Sequence, residues 1–139
     1  MTAVLSADRV NELVANDPYL TALGLRAEEQ SGAVVVLVLP AVERHLGIPE
    51  PGVVHGGVIA AFLEATASLH LRATAESAAR TVEFTSDFLR PVPLAPTYAQ
   101  AVVLRHGRRF ASVRVEAWQA DRDRLVAVGV GRFLVDAGL

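Results

Sequence analysis

Between residues 57 and 71 apolar side chains follow one another almost without a break. Val58, Ile59, Phe62, Leu63, Leu69 and Leu71 alternate with Ala60, Ala61, Ala65 and Ala67. A run of this length, residues 57–72, is too long for an ordinary strand and reads as a helix. A helix lying on a surface shows a polar face, and this one shows almost none. The pattern predicts a buried helix with sheet wrapped around it, its alanines letting strands approach closely. Upstream, residues 6–16 predict a short helix, with Ser6 as cap and Val10, Leu13 and Val14 as its apolar stripe. DPYLTALGL then breaks and turns, EEQSG reads as a polar turn ending at Gly32, and AVVVLVLP reads as a strand stopped by Pro40. Residues 41–56 are punctuated by Gly and Pro and read as loop.

Four strand-like segments follow the helix: residues 80–89, 97–105, 110–119 and 125–135. Val82, Phe84 and Phe88 fall on one face of the first, and Val113, Val115 and Ala117 on one face of the third. RHGRR and QADRDR supply hairpin turns. Strand, long helix, then a four-strand meander predicts an antiparallel α+β fold. A length of 139 residues predicts one domain over 1–139, with 1–18 as an N-terminal helical segment. No repeat, low-complexity tract or Gly/Ser linker divides it.

Composition narrows the chemistry. The chain is 52% hydrophobic, ample for a core, and its net charge of −2 gives no broad basic field for nucleic acid or anionic membrane. There is no Cys, which removes disulfides, thiolate nucleophiles and Cys-based metal centres. No run spans a bilayer and MTAVLSADRVNELV lacks the features of a signal peptide, so the cytoplasm is the expected location. All 13 basic residues are Arg, and no meaning is read into Arg over Lys at any one site. His45, His70 and His106 have no metal-ligand spacing with one another or with His55, so no metal and no cofactor are expected. There is no Gly-x-Ser-x-Gly, and GVGRF lacks the spacing of a dinucleotide fingerprint.

One residue breaks the apolar helix. Glu64 is its only charge from Gly57 to Leu71, and positions three and four residues away are Ala60, Ala61, Ala67 and Ser68. Nothing local neutralises it, whereas a helical Glu is ordinarily paired at that spacing. It either reaches solvent along an exposed edge or sits in a cleft and works; the helix pattern alone leaves both open. The start of the helix adds to the second reading. His55-Gly56-Gly57 brings two glycines to a helix N-terminus, where unpaired N–H groups and the positive dipole end stabilise developing negative charge. About 10 Å of helix rise separates Gly57 from Glu64, too far for one helix to serve one carbonyl with both. Two antiparallel helices across a two-fold axis solve the problem, each offering its tip to the partner's Glu.

GVVHGGVIAAFLEATAS, followed by TVEFTSDFLRP and LRHGRRFASVRVEAWQADRDRLVAVGVGRFLV, resembles the hotdog-fold acyl-CoA thioesterases, in their PaaI-type and 4-hydroxybenzoyl-CoA thioesterase-like branch. The resemblance runs from about residue 19 to the C-terminus. It implies a sheet of about five to six strands wrapped around one long helix, homodimers with shared active sites, and pairing into homotetramers. It implies that Glu64 acts as nucleophile or general base, that the Gly56 N–H polarises the thioester carbonyl with Gly57 beside it, that His55 positions the thioester, and that Ser68 holds the water or carboxylate. Many members carry Asn or Gln six residues before the motif His; here that position is Pro49.

The implied activity is hydrolysis of an aryl- or short/medium-chain acyl-CoA to free acid and CoA. A thioester is already activated, so a carboxylate can attack it directly or take a proton from water while backbone donors hold the oxyanion. Arg90 and the Gly107, Arg108, Arg109 turn are candidates for the CoA phosphates, set against a reading of both as solvated strand ends. DRDR at 121–124 reads as a solvated hairpin, and Trp118, Phe84 and Phe88 as core or interface rather than ligand-stacking groups. The alternative function is a non-catalytic acyl-CoA sensor, against which the presence of Glu64 and Ser68 argues. A hotdog dehydratase or hydratase is a third reading, and no second acid is placed for it.

Overall fold

The computed structural model describes residues 4–75 and 77–135. Helix α1 (Ala7–Ala15) starts at Ser6, whose Oγ accepts the Arg9 N–H at 3.2 Å. DPYLTALGL does more than turn: it forms a second helix, α2 (Pro18–Leu23). The reason is capping at both ends. Asp17 Oδ1 accepts the N–H groups of Tyr19 and Leu20 at 3.0 and 3.1 Å, Pro18 suits the first turn, and Gly24 closes the helix at φ 79°.

Strands β1 (Arg26–Gln30) and β2 (Val34–Leu39) form a hairpin, so EEQ belongs to a strand and only residues 31–33 turn. Its polarity reflects an edge position, where charged side chains face water. Residues 41–56 hold more than loop: a 3-10 turn (Glu43–His45), then a small ladder of β3 (Leu46–Ile48) and β4 (Val53–Val54) that leads into α3 (Gly56–Ala75). Strands β5 (Arg80–Phe88), β6 (Thr97–His106), β7 (Phe110–Trp118) and β8 (Leu125–Leu134) complete the chain.

The main sheet is antiparallel with the order β1-β2-β6-β7-β8-β5. The meander therefore covers β6 to β8 alone, and β5 lies outside it, against β8. Val113, Val115 and Ala117 of β7 face α3 and are fully buried, as are Phe62, Leu63 and Leu69 of the helix. The inward face of β5 is less regular than its alternation suggests. A bulge at Val82 leaves that side chain exposed, while Phe84 lies over Gly129 and Gly131 of β8. GVGRF is thus a pair of glycines making room for a ring: a Cβ on Gly131 would stand 2.4 Å from Phe84 Cδ2.

The two edges of the sheet differ. Beside β1, Asn11 of α1 exchanges two hydrogen bonds with the Ala27 backbone, at 2.7 and 3.0 Å. The outer edge of β5 has no such cover among the described residues, and Val82, Phe88 and Leu89 stand about half exposed there.

Candidate active site

The N-terminus of α3 is held by the small ladder before it. The His55 N–H donates to His45 O at 2.8 Å, and Val54 N–H to Val92 O at 2.8 Å. Gly47 lies so close to His55 that an added Cβ would meet its Cα at 2.9 Å. His55 then caps its own helix: its Nδ1 accepts the Gly57 N–H at 2.8 Å, and its carbonyl accepts from Val58 and Ile59. An accepting Nδ1 puts the hydrogen of the neutral ring on Nε2. The Gly57 N–H is thereby engaged within the chain. Among the described residues nothing accepts the Gly56 N–H, which is left free at the positive end of a 20-residue helix.

Gly56 opens onto an apolar groove of about 640 Å³, walled by Ile48, Val53, Ile59, Phe88 and Val92. Phe88 lies outside the core, 54% exposed, with its ring within 3.8 Å of where a Gly56 Cβ would be. Pro49 stands exposed in the turn between β3 and β4, outside this groove's wall.

Glu64 is half-buried, two turns along α3, and makes no hydrogen bond or ion pair among the described residues. It lies on a stripe that the sheet leaves partly uncovered, with Gly57, Ala60, Ala61 and Ser68. Ser68 Oγ donates to Ala79 O at 3.4 Å, just before β5, so this stripe runs beside the open sheet edge. Ser68 and Glu64 share the stripe without bonding to each other.

The remaining candidates separate. Arg90 follows β5 and lines the apolar groove. Gly107, Arg108 and Arg109 form the turn at the opposite end of the sheet, next to the Arg80 end of β5. Eight residues of strand put roughly 26 Å between those ends within one protomer. His45 is 3% exposed and neither ring nitrogen has a partner. Burial, and after it the Arg44 charge, pull its pKa below the usual imidazole range, against the pull of the nearby Pro40 carbonyl, which falls short of a hydrogen bond. Burial lowers His70 as well. The DRDR hairpin is exposed at all four residues, as expected, and within it Arg122 folds back to Glu116 at 2.9 Å and over the Trp118 ring at 4.1 Å. Among the described residues no three His, Cys, Asp or Glu side chains gather as a metal site would need, and no helix is long and apolar enough to cross a membrane.

Comparison with known proteins bears on this geometry. Residues 51–126 match the thioesterase superfamily. A Sulfurisphaera tokodaii protein, provisionally named an esterase, is 29% identical over 92% of this chain and 95% of its own length. A mutant of the phenylacetic acid degradation protein PaaI of Thermus thermophilus is 28% identical in its solved structure. It covers 86% of this chain and 99% of its own, with a TM-score of 0.71. A thioesterase of Haemophilus influenzae superposes with a TM-score of 0.81 over 99% of this chain and 94% of its own; at 21% identity it speaks for the fold alone. With α3 wrapped by an antiparallel sheet and the motif helix at its centre, this chain belongs to the thioesterase superfamily and has the hotdog fold.

Proposed function

We propose that the protein hydrolyses an aryl- or short/medium-chain acyl-CoA, in a homodimer whose two active sites are each built from both protomers. The observation that carries the reading is the pair of unsatisfied groups on one helix: a free Gly56 N–H opening on an apolar groove, and a half-buried Glu64 with no partner. The groove takes the acyl group, and the Gly56 N–H donates to the thioester oxygen as it becomes an oxyanion. Glu64 of the second protomer attacks the carbonyl carbon or deprotonates the attacking water, and the thiolate of CoA leaves. His55 acts by fixing the helix tip. The uncovered edge of β5, with its apolar side chains, favours pairing of two β5 strands, which would bring the two uncovered helix stripes together. Dimers pairing again give the tetramer.

Thiol release across a panel of acyl-CoA thioesters tests hydrolysis; no turnover of any thioester, with acyl-CoA still bound, points to the sensor function instead. Mixing tests the shared site. Gly56→Val and Glu64→Gln are each expected to be inactive. In a mixed dimer one site keeps both the intact glycine and the intact acid, so unfolding and refolding the two together should restore about a quarter of wild-type activity. No recovery, with mixed dimers demonstrated, refutes a site assembled from two chains.

A further inference from the structure

The His55 ring lies in a slot between two glycines. A Cβ on Gly47 would meet His55 Cα at 2.9 Å, its Cβ at 3.1 Å and ring Cδ2 at 3.3 Å. A Cβ on Gly57 would meet ring Nδ1 at 2.9 Å and Cε1 at 3.0 Å. One side of the imidazole is thus set by β3 and the other by the first turn of α3. Gly47 falls at the irregular point of the small ladder, between the Leu46–Val54 and Ile48–Val53 pairs. Its φ is not among the positive ones, so the close approach to His55 is what glycine serves there, not an unusual backbone. The first atom an added methyl meets is backbone, which cannot swing aside as the end of a flexible side chain can.

The residue lying against Gly47 is the one that precedes Gly56. Its backbone is pinned on both sides: the N–H donates to His45 O at 2.8 Å, and the carbonyl accepts from Val58 and Ile59 at 3.0 and 3.2 Å. A shift of His55 Cα therefore carries the next peptide with it, and the N–H of that peptide belongs to Gly56. The same shift moves the ring that accepts the Gly57 N–H. A donor serves an oxyanion only when it lies about 2.7–3.1 Å away, so the tolerance for displacement is small. The Gly57 N–H is already engaged by the ring, so it does not stand in for a displaced Gly56.

We propose that Gly47 is a positioning residue for the reaction: by lacking a side chain it lets β3 lie against His55, with Gly57 as the other wall of the slot, and so sets where the Gly56 N–H points. The inference rests on the reading of Gly56 as the carbonyl donor above. Gly47 also borders the apolar groove, but a methyl added to it would point at His55. Its influence on the carbonyl thus runs through His55.

The test compares the affinities of two non-hydrolysable CoA analogues of one acyl group. One is a ketone, in which a methylene replaces the thioester sulfur; the other is a thioether, which lacks the carbonyl oxygen. Their ratio cancels loss of folded protein and changes in the groove that both share. Wild type should bind the ketone about fivefold more tightly, and Gly47→Ala should bind the two alike. Counted per site titrated with the thioether, kcat should fall about a hundredfold in Gly47→Ala. Gly52→Ala is the control. It strains the same ladder at φ 101°, yet its Cβ would meet nothing closer than Pro49 O at 3.8 Å, so it should lower stability and keep both the preference and kcat. A preference retained in Gly47→Ala overturns the positioning role while Gly56 stays the donor. Equal loss in Gly47→Ala and Gly52→Ala marks general damage to the ladder and overturns it too. No preference in wild type, or no binding of either analogue, removes the donor reading and the positioning role with it. If wild type turns over no thioester but the affinity pattern holds, hydrolysis fails and the positioning stands. Should Gly47→Ala not fold, Gly57→Ala presses the ring from its other side and should lower the ratio; an unchanged ratio there overturns the proposal.

Discussion

Replacing Glu64 by Gln removes one charge, keeps the side chain's volume, and separates two explanations of why the acid is there. If the carboxylate serves the fold, losing it should destabilise the protein. The structure gives it nothing to serve with: no hydrogen bond or ion pair among the described residues, and alanine or serine at every position one turn away. Half-burial of an unpaired charge is unfavourable, so the neutral amide should leave stability within about 0.5 kcal/mol or raise it slightly. If the carboxylate acts on substrate, losing a general base lowers the rate by about 10² to 10⁴, and each factor of ten is about 1.4 kcal/mol of barrier. The two readouts are therefore expected to move independently. Thermal melting should show Tm unchanged or slightly higher, while thiol release from the best acyl-CoA in the panel falls by at least about a hundredfold in kcat. Binding of a non-hydrolysable thioether analogue should stay near wild type, since the substituted amide fills the same place on the helix stripe. The opposite result, a lower Tm with kcat within about tenfold of wild type, would falsify a chemical role for Glu64.

Two further expectations concern the fold. Gly131→Ala puts a methyl 2.4 Å from Phe84 and 2.9 Å from Phe133, and should cost about 1–3 kcal/mol by chemical denaturation; adding Phe84→Leu should recover part of the loss, and no recovery refutes the ring contact as its cause. Stability should also fall as pH drops below the ordinary imidazole value of about 6.5. His45 and His70 have lowered folded pKa values, so the unfolded chain takes up protons first, at up to about 1.4 kcal/mol per pH unit per histidine until the folded group titrates. Glu116 adds a second loss at lower pH. Its carboxylate is held down chiefly by the hydrogen bond from Arg122, and that stability disappears as pH falls through the ordinary carboxylate range toward the folded value. His45→Leu should flatten the first slope, and an unchanged slope in that variant refutes the assignment to His45.

The sequence carried some of this because the relevant signals are local. An apolar run too long for a strand predicts the buried helix. Glu64 stands out because helix spacing fixes its neighbours, and all of them are small. What the sequence concealed depends on arrangement between elements. EEQ looks like a turn because an edge strand has one side in water, and polarity alone does not tell an edge from a loop. Phe84 and Phe88 share one alternation pattern, yet Phe84 lies over two glycines of β8 while Phe88 walls the groove beside Gly56. Arg122 and Arg124 are two residues apart in a run of charges; one is folded onto Trp118 and Glu116 and the other faces a cleft.

Strand order had the largest consequence for function. Local alternation predicts β5 as a strand but does not say which neighbour it takes. Lying outside β8, it leaves its own far edge unpaired among the described residues, beside the one stripe of α3 that the sheet does not cover. Had β5 instead paired between β2 and β6, that stripe would have been closed over, and an unpaired Glu64 beneath the sheet would have been a fault to be avoided rather than a group within reach of a second chain. Helix α3 separates Gly56 from Glu64 by roughly 12 Å of rise, and in the proposed dimer an antiparallel copy would meet both at matching heights.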